Sequence, residues 1–151
     1  MVQFFFSKSR LGPYRHGMAW FALCIMFGVH AVDEVLTDFL SFYNPLVLAL
    51  QEKIALLPLP IFTFQAWVVS SIIEIVVLLL LSPLVFKGVR FMKSLSYIFG
   101  AMIFFNGLLH ITGSIVLGRF LPGVFSSPLL LLFALHLLVA THKREQWQGE
   151  K

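Results

Sequence analysis

The chain has 151 residues, the length of a single domain. It is 59% hydrophobic and only 12% charged, with a mean hydropathy of +0.91, whereas soluble domains average about 45–50% apolar and about 25% charged residues. A water-soluble fold of this composition would expose large apolar patches, so the solvent the sequence is built for is lipid. The net charge of +4 comes from basic residues in the short segments between apolar runs, which argues against a nucleic-acid-binding surface. The lone Cys24 excludes an internal disulfide and any cysteine-based zinc or iron–sulfur site.

A bilayer core about 30 Å thick needs roughly 20 apolar residues in a helix, and four stretches qualify. The first covers residues 17–41. Lys8, Arg10 and Arg15 precede it, the pattern of a secretory leader. The run is too long for one, however, carries acids and lacks a small-residue cleavage signal. It is read as a retained span, with Phe4-Phe5-Phe6 at the interface. Asn44-Pro45 then reads as a helix start. Pro45 to Leu57 forms a short interfacial helix or a lid over the bundle, ended by Pro58 and Pro60. The second span covers residues 62–86, closed by Pro83 and Gly88. The third covers 95–117, and Pro122-Gly123 makes a tight turn into the fourth, 124–141, where Pro128 falls in the tolerated first turns.

The expected fold is an all-α membrane protein, one transmembrane domain forming a four-transmembrane-helix bundle. Lys8, Arg10, Arg15, Lys87, Arg90, Lys93, Lys143, Arg144 and Lys151 fall on one side of it. Only Lys53 and Arg119 fall on the other. By the positive-inside rule both termini are cytoplasmic, in the cell membrane. Gly100, Gly107 and Ser114, seven residues apart, would let the third span approach a neighbour closely.

Several side chains do not belong in lipid. A carboxylate at a membrane centre costs at least about 2.5 kcal/mol on insertion scales, so such groups usually face the bundle interior. The first span carries His30, Asp33, Glu34 and Asp38, with His30 and Glu34 at i,i+4 and so on one face. Thr37, Asp38 and Ser41 continue that face outward. The second span carries Glu74 beside Ser70 and Ser71; the third carries Asn106 and His110, again i,i+4; the fourth carries His136. His30, Glu74 and Asn106 fall near the midplane, with Asp33, Glu34 and His110 about one turn further out. His136 lies deeper and reads as packing or hydrogen-bonding, while His16 and His142 read as interfacial.

Two imidazoles and a carboxylate are a ligand set for catalytic zinc, with water in the open position. His30, His110 and either Glu34 or Glu74 could supply it, and iron or manganese are alternative ions. The remaining carboxylate would be the general base, and Asn106 would orient substrate or stabilise an oxyanion. A di-iron bundle would need paired Glu-x-x-His motifs that this chain lacks. In the plainest alternative the acids and histidines satisfy one another and lock the bundle together.

His30-Ala31-Val32-Asp33-Glu34 resembles the signature of the HXXEE family of small bacterial membrane proteins, with Asp33 in place of the first Glu. Asn106-Gly-Leu-Leu-His110, followed by Arg119-Phe-Leu-Pro122-Gly123, is similar to that family's second region. The family is named for its motif, and its activity is not established. The resemblance therefore implies a site and no reaction, and it favours His30, Asp33, Glu34, Asn106 and His110. Asp33 keeps the charge of the family's Glu but reaches one methylene less far, which argues against bidentate metal ligation by that residue.

These readings converge on a metal-dependent membrane enzyme, hydrolase- or isomerase-like. It would act on a lipid or other apolar substrate in the outer half of the bundle, with Asp33, Glu34 and Asn106 as catalytic groups. The rivals are a proton- or cation-coupled transporter, which four spans could form only as a homodimer, and a non-catalytic interaction protein with a structural polar cluster.

Overall fold

The computed structural model describes residues 8–54 and 58–149, which form five helices and no strand. They are α1 (Lys8–Leu36), α2 (Phe39–Lys53), α3 (Phe64–Phe86), α4 (Phe91–Leu117) and α5 (Ser127–Gly149). The expected interfacial run at Phe4–Phe6 and the end of the expected short helix at 55–57 lie outside the described residues. Three helices are long and apolar enough to cross a membrane: Gly12–Leu36, Phe64–Phe86 and Phe91–Leu117. The fourth expected span is a shorter apolar helix over Ser127–Lys143.

Among the element boundaries that differ from the sequence reading, the end of α1 and the start of α2 do so for local reasons. The first apolar run does not continue to Ser41. α1 stops at Leu36, and Asp38 takes a left-handed conformation (φ 55°) that reverses the chain into α2; Asp is one of the few residues that adopts it readily. α2 then starts at Phe39, so Pro45 lies inside the helix and does not open it. The Asn44 side chain is spent elsewhere: its amide donates to the Phe62 carbonyl (2.9 Å) and its oxygen accepts from the Phe62 N–H (3.2 Å). That pair ties α2 to the approach of α3. Phe39 and Tyr43, one turn apart, stack at 5.2 Å and form the inner face of α2.

α5 lies between α1 and α4, and α1 packs on its other side against α3, which scarcely touches α4. The core where these helices meet is built from Trp20, Leu23, Cys24, Met92, Leu130, Ala134 and Leu137, all buried. Trp20 is its largest member. Its ring packs 5.1 Å from Phe99, and its indole N–H donates to the Leu78 carbonyl on α3 (3.1 Å). Gly100 and Gly107 provide the close approach of α4 to α5: a Cβ at Gly100 would meet Leu138 at 2.9 Å, and one at Gly107 would meet Leu131 and the Ser127 carbonyl at 3.2 Å. The Ser114 hydroxyl donates to the His110 carbonyl and accepts from Leu121 N–H, fastening the following loop.

His16, expected at the interface, is fully buried and hydrogen-bonded to Ser96 (2.8 Å), because α1 turns that face toward α4. The outward face of α3 exposes Ile72, Ile73, Val76, Val77 and Leu80, the belt that lipid tails would cover. Replacing Trp20 by Ala removes the largest buried side chain and its cross-helix hydrogen bond, at a cost of about 3–5 kcal/mol. Thermal unfolding in detergent, followed by circular dichroism, should place Trp20→Ala far below wild type and Trp20→Phe between the two.

Candidate metal centre

His30 and Glu34 sit one turn apart near the end of α1, so the helix itself brings them together. His110 reaches them from α4. His110 Nε2 is 3.2 Å from Glu34 Oε1, and His30 Nε2 is 3.5 Å from the same oxygen. The two imidazoles meet edge to face, with centroids 5.0 Å apart. One ligand atom from each of the three residues falls within 4.8 Å of the others, so the group could hold a metal ion.

The loop after α4 closes over this triad. Gly118 (φ 61°) ends α4, and Gly123 (φ 79°) lies directly against the three side chains. A Cβ at Gly123 would stand 2.9 Å from His30 Cε1, 3.0 Å from Glu34 Cγ and 3.1 Å from His110 Cε1. Only glycine satisfies both the conformation and the contact. The loop is pinned from α1: Gly123 N–H donates to Thr37 Oγ1 (3.1 Å), and the Ser126 N–H and O–H both reach Asp33 Oδ2 (2.8 and 2.7 Å). Ser127 O–H donates to the Gly123 carbonyl (2.7 Å).

The donor set fits a metal in one specific respect. His30 is fully buried, and its Nδ1 is engaged with Ser126 Oγ at 2.8 Å. Its Nε2, facing Glu34 and His110, has no hydrogen-bond partner. Leaving such an atom unsatisfied costs about 1–3 kcal/mol, and a cation among the three donors would remove that penalty. Two histidines and one glutamate match the three-ligand pattern of catalytic zinc sites.

Of the residues expected from sequence, the structure brings His30, Glu34 and His110 together. Asp33 stands beside them with Oδ2 committed to Ser126. Asn106, half-buried, lies one turn below His110 on α4 and outside the triad. Glu74 is not brought to the cluster: it is exposed on the outward side of α3. Its depth in the sequence matched that of His30, but depth does not fix the direction in which a helix face points. His136 is likewise exposed, on α5. Ser126 escaped the sequence reading altogether. Its signal was the Ser126-Ser127-Pro128 run, a helix-start pattern directly after the Pro-Gly turn. Phe39 packs 6.0 Å from the His110 ring and 5.6 Å from Trp67, continuing to Tyr43 and Phe62.

A family model described as a protein of unknown function with an HXXEE motif matches residues 20–137. The chain belongs to that family. Neither the curated proteins nor the solved structures contain a match. Within the HXXEE signature as it stands here, the first and last positions, His30 and Glu34, belong to the group that could hold a metal ion, while the fourth, Asp33, holds the loop.

Gly118 and Gly123 offer a matched test of the loop. Both have positive φ, but a Cβ at Gly118 would meet nothing within 4 Å. Gly118→Ala should cost the left-handed penalty of about 1–2 kcal/mol. Gly123→Ala should add about 1–3 kcal/mol of overpacking. Thermal melts of the two variants would check the ordering.

Proposed function

We propose that this protein is a metal-dependent membrane enzyme, hydrolase- or isomerase-like, whose metal is held by His30, Glu34 and His110. The observation that carries the reading is the convergence of three ligand atoms on one point, one of them a buried imidazole nitrogen without a partner. Zinc is the favoured ion for this donor set, with iron or manganese as alternatives. Charge supports a divalent ion: Asp33 and Glu34 together carry two negative charges when ionised, so the ion would leave the site formally neutral in a poorly solvated setting. When bound, such an ion supplies Lewis acidity and activates water at its open position.

The chain's own residues divide the remaining work. His30 is inaccessible, whereas the Glu34 and His110 side chains each keep about a tenth of their surface exposed; substrate would approach from their side. Phe39 packs against the His110 ring and is followed by Tyr43, Phe62 and Trp67, a set of rings that would suit a lipid or other apolar substrate. Asn106, on the His110 face of α4, is the candidate for orienting substrate or stabilising an oxyanion. The wider frame of the proposal is a four-span bundle in the cell membrane, with Ser127–Lys143 as the fourth span and both termini cytoplasmic. A homodimer is compatible with it.

A second reading has one observation in its favour. His110 Nε2 is within hydrogen-bonding distance of Glu34, so protons alone could hold the cluster, as a relay for transport or as structural glue. Metal content by mass spectrometry on detergent-purified protein separates the two. Near-stoichiometric metal in wild type, lost in His30→Ala and His110→Ala while circular dichroism stays unchanged, is the expected result. No metal in wild type, even after incubation with zinc, iron and manganese, would contradict the proposal and favour the protonic cluster.

A further inference from the structure

We infer that Asp33 and Ser126 form a positioning relay that holds His30 as the Nδ1–H tautomer, so that its Nε2 lone pair faces Glu34 and His110. The relay deepens the metal-site reading and takes its purpose from it, but its geometry stands independently.

Ser126 Oγ has three polar neighbours: Asp33 Oδ2 at 2.7 Å, His30 Nδ1 at 2.8 Å and the Gly123 carbonyl at 3.3 Å. It has one proton to give. Asp33 Oδ2 is the closest acceptor and the charged one, and charge-assisted hydrogen bonds are roughly twice as strong as neutral ones. The Ser126 N–H also donates to that oxygen at 2.8 Å, fixing the hydroxyl beside it. With the hydroxyl proton on Asp33, Ser126 Oγ can only accept from His30, and Nδ1 must carry the hydrogen. The opposite tautomer turns a hydroxyl lone pair toward the carboxylate at 2.7 Å, and the proton it places on Nε2 would reach Glu34 Oε1 only at 3.5 Å, the outer limit of a hydrogen bond.

This assigns separate tasks to the two acids of the motif. His30 and Asp33 are i,i+3 and both reach Ser126 at the start of α5; His30 and Glu34 are i,i+4 and both reach the ligand point. Asp33 and Ser126 touch no ligand atom, so both are positioning residues. An aspartate meets this need because the acceptor has to reach only a backbone N–H and a hydroxyl already pressed against α1.

The test begins without any variant. Wild type is labelled with nitrogen-15 in histidine, stripped with a chelator and held in detergent at mildly alkaline pH. A long-range proton–nitrogen correlation, with the His30 signals assigned from His30→Gln, reads which ring nitrogen carries the proton. The relay requires Nδ1–H for His30, and finding Nε2–H overturns it. Zinc titrations of wild type, Ser126→Ala and Ser126→Thr follow. Loss of such an outer partner lowers metal affinity roughly 10- to 100-fold, and Ser126→Thr, which keeps the hydroxyl, should recover most of the loss. Equal zinc affinity in wild type and Ser126→Ala overturns the positioning role. If wild type shows Nδ1–H but binds no zinc, the metal reading falls while the relay stands, so the two failures are distinguishable.

Discussion

A carboxylate withdrawn from water must be met by a cation or by several hydrogen-bond donors, and this chain places two acids side by side near the end of α1. Asp33 and Glu34 are answered differently. Asp33 takes a backbone N–H and a hydroxyl from Ser126, while Glu34 faces two imidazole nitrogens. Because consecutive residues on a helix point about 100° apart, the two solutions lie in different directions. One pulls the start of α5 onto α1, and the other draws His110 of α4 toward the same turn. The tertiary arrangement at this end of the molecule follows from satisfying both.

The Pro122-Gly123 turn makes the two solutions compatible. Its backbone passes so close to His30, Glu34 and His110 that no side chain fits at Gly123. Thr37 anchors it by accepting the Gly123 N–H, while its own hydroxyl donates to the Asp33 carbonyl at the end of α1 (2.6 Å). The turn therefore seals one face of the triad. Phe39 of α2 packs against the His110 ring and continues to Trp67 of α3, while the Glu34 and His110 side chains keep about a tenth of their surface exposed.

Much of this was legible in the sequence, because helical periodicity ties residues three and four apart to one face. His30 with Glu34, and the location of His110 on α4, followed from spacing alone, as did the close contact that Gly100 and Gly107 provide. Glu74 shows where that logic stops. Hydropathy gives depth within a span but no rotation about the helix axis, and α3 turns Glu74 outward. The break at Thr37–Asp38 was hidden because its polar residues fall at helical spacing on the His30–Glu34 face and read as its continuation; the left-handed Asp38 carries the reversal. Asn44-Pro45 misled in the other direction, since a residue suited to a helix start was used for a cross-link to Phe62. Ser126 was missed for a simpler reason: its run marks a helix start, but a serine outside the periodic segments has nothing to reveal its partner.

X-ray absorption at the zinc edge of zinc-loaded protein shows whether His30, Glu34 and His110 act as one ligand set. Two imidazole nitrogens at about 2.0–2.1 Å and oxygen neighbours at about 2.0–2.2 Å in a four-coordinate shell are expected. The imidazole scattering should fall by half in His110→Ala. A shell of oxygens without imidazole, or one unchanged by that substitution, would contradict a shared ligand set.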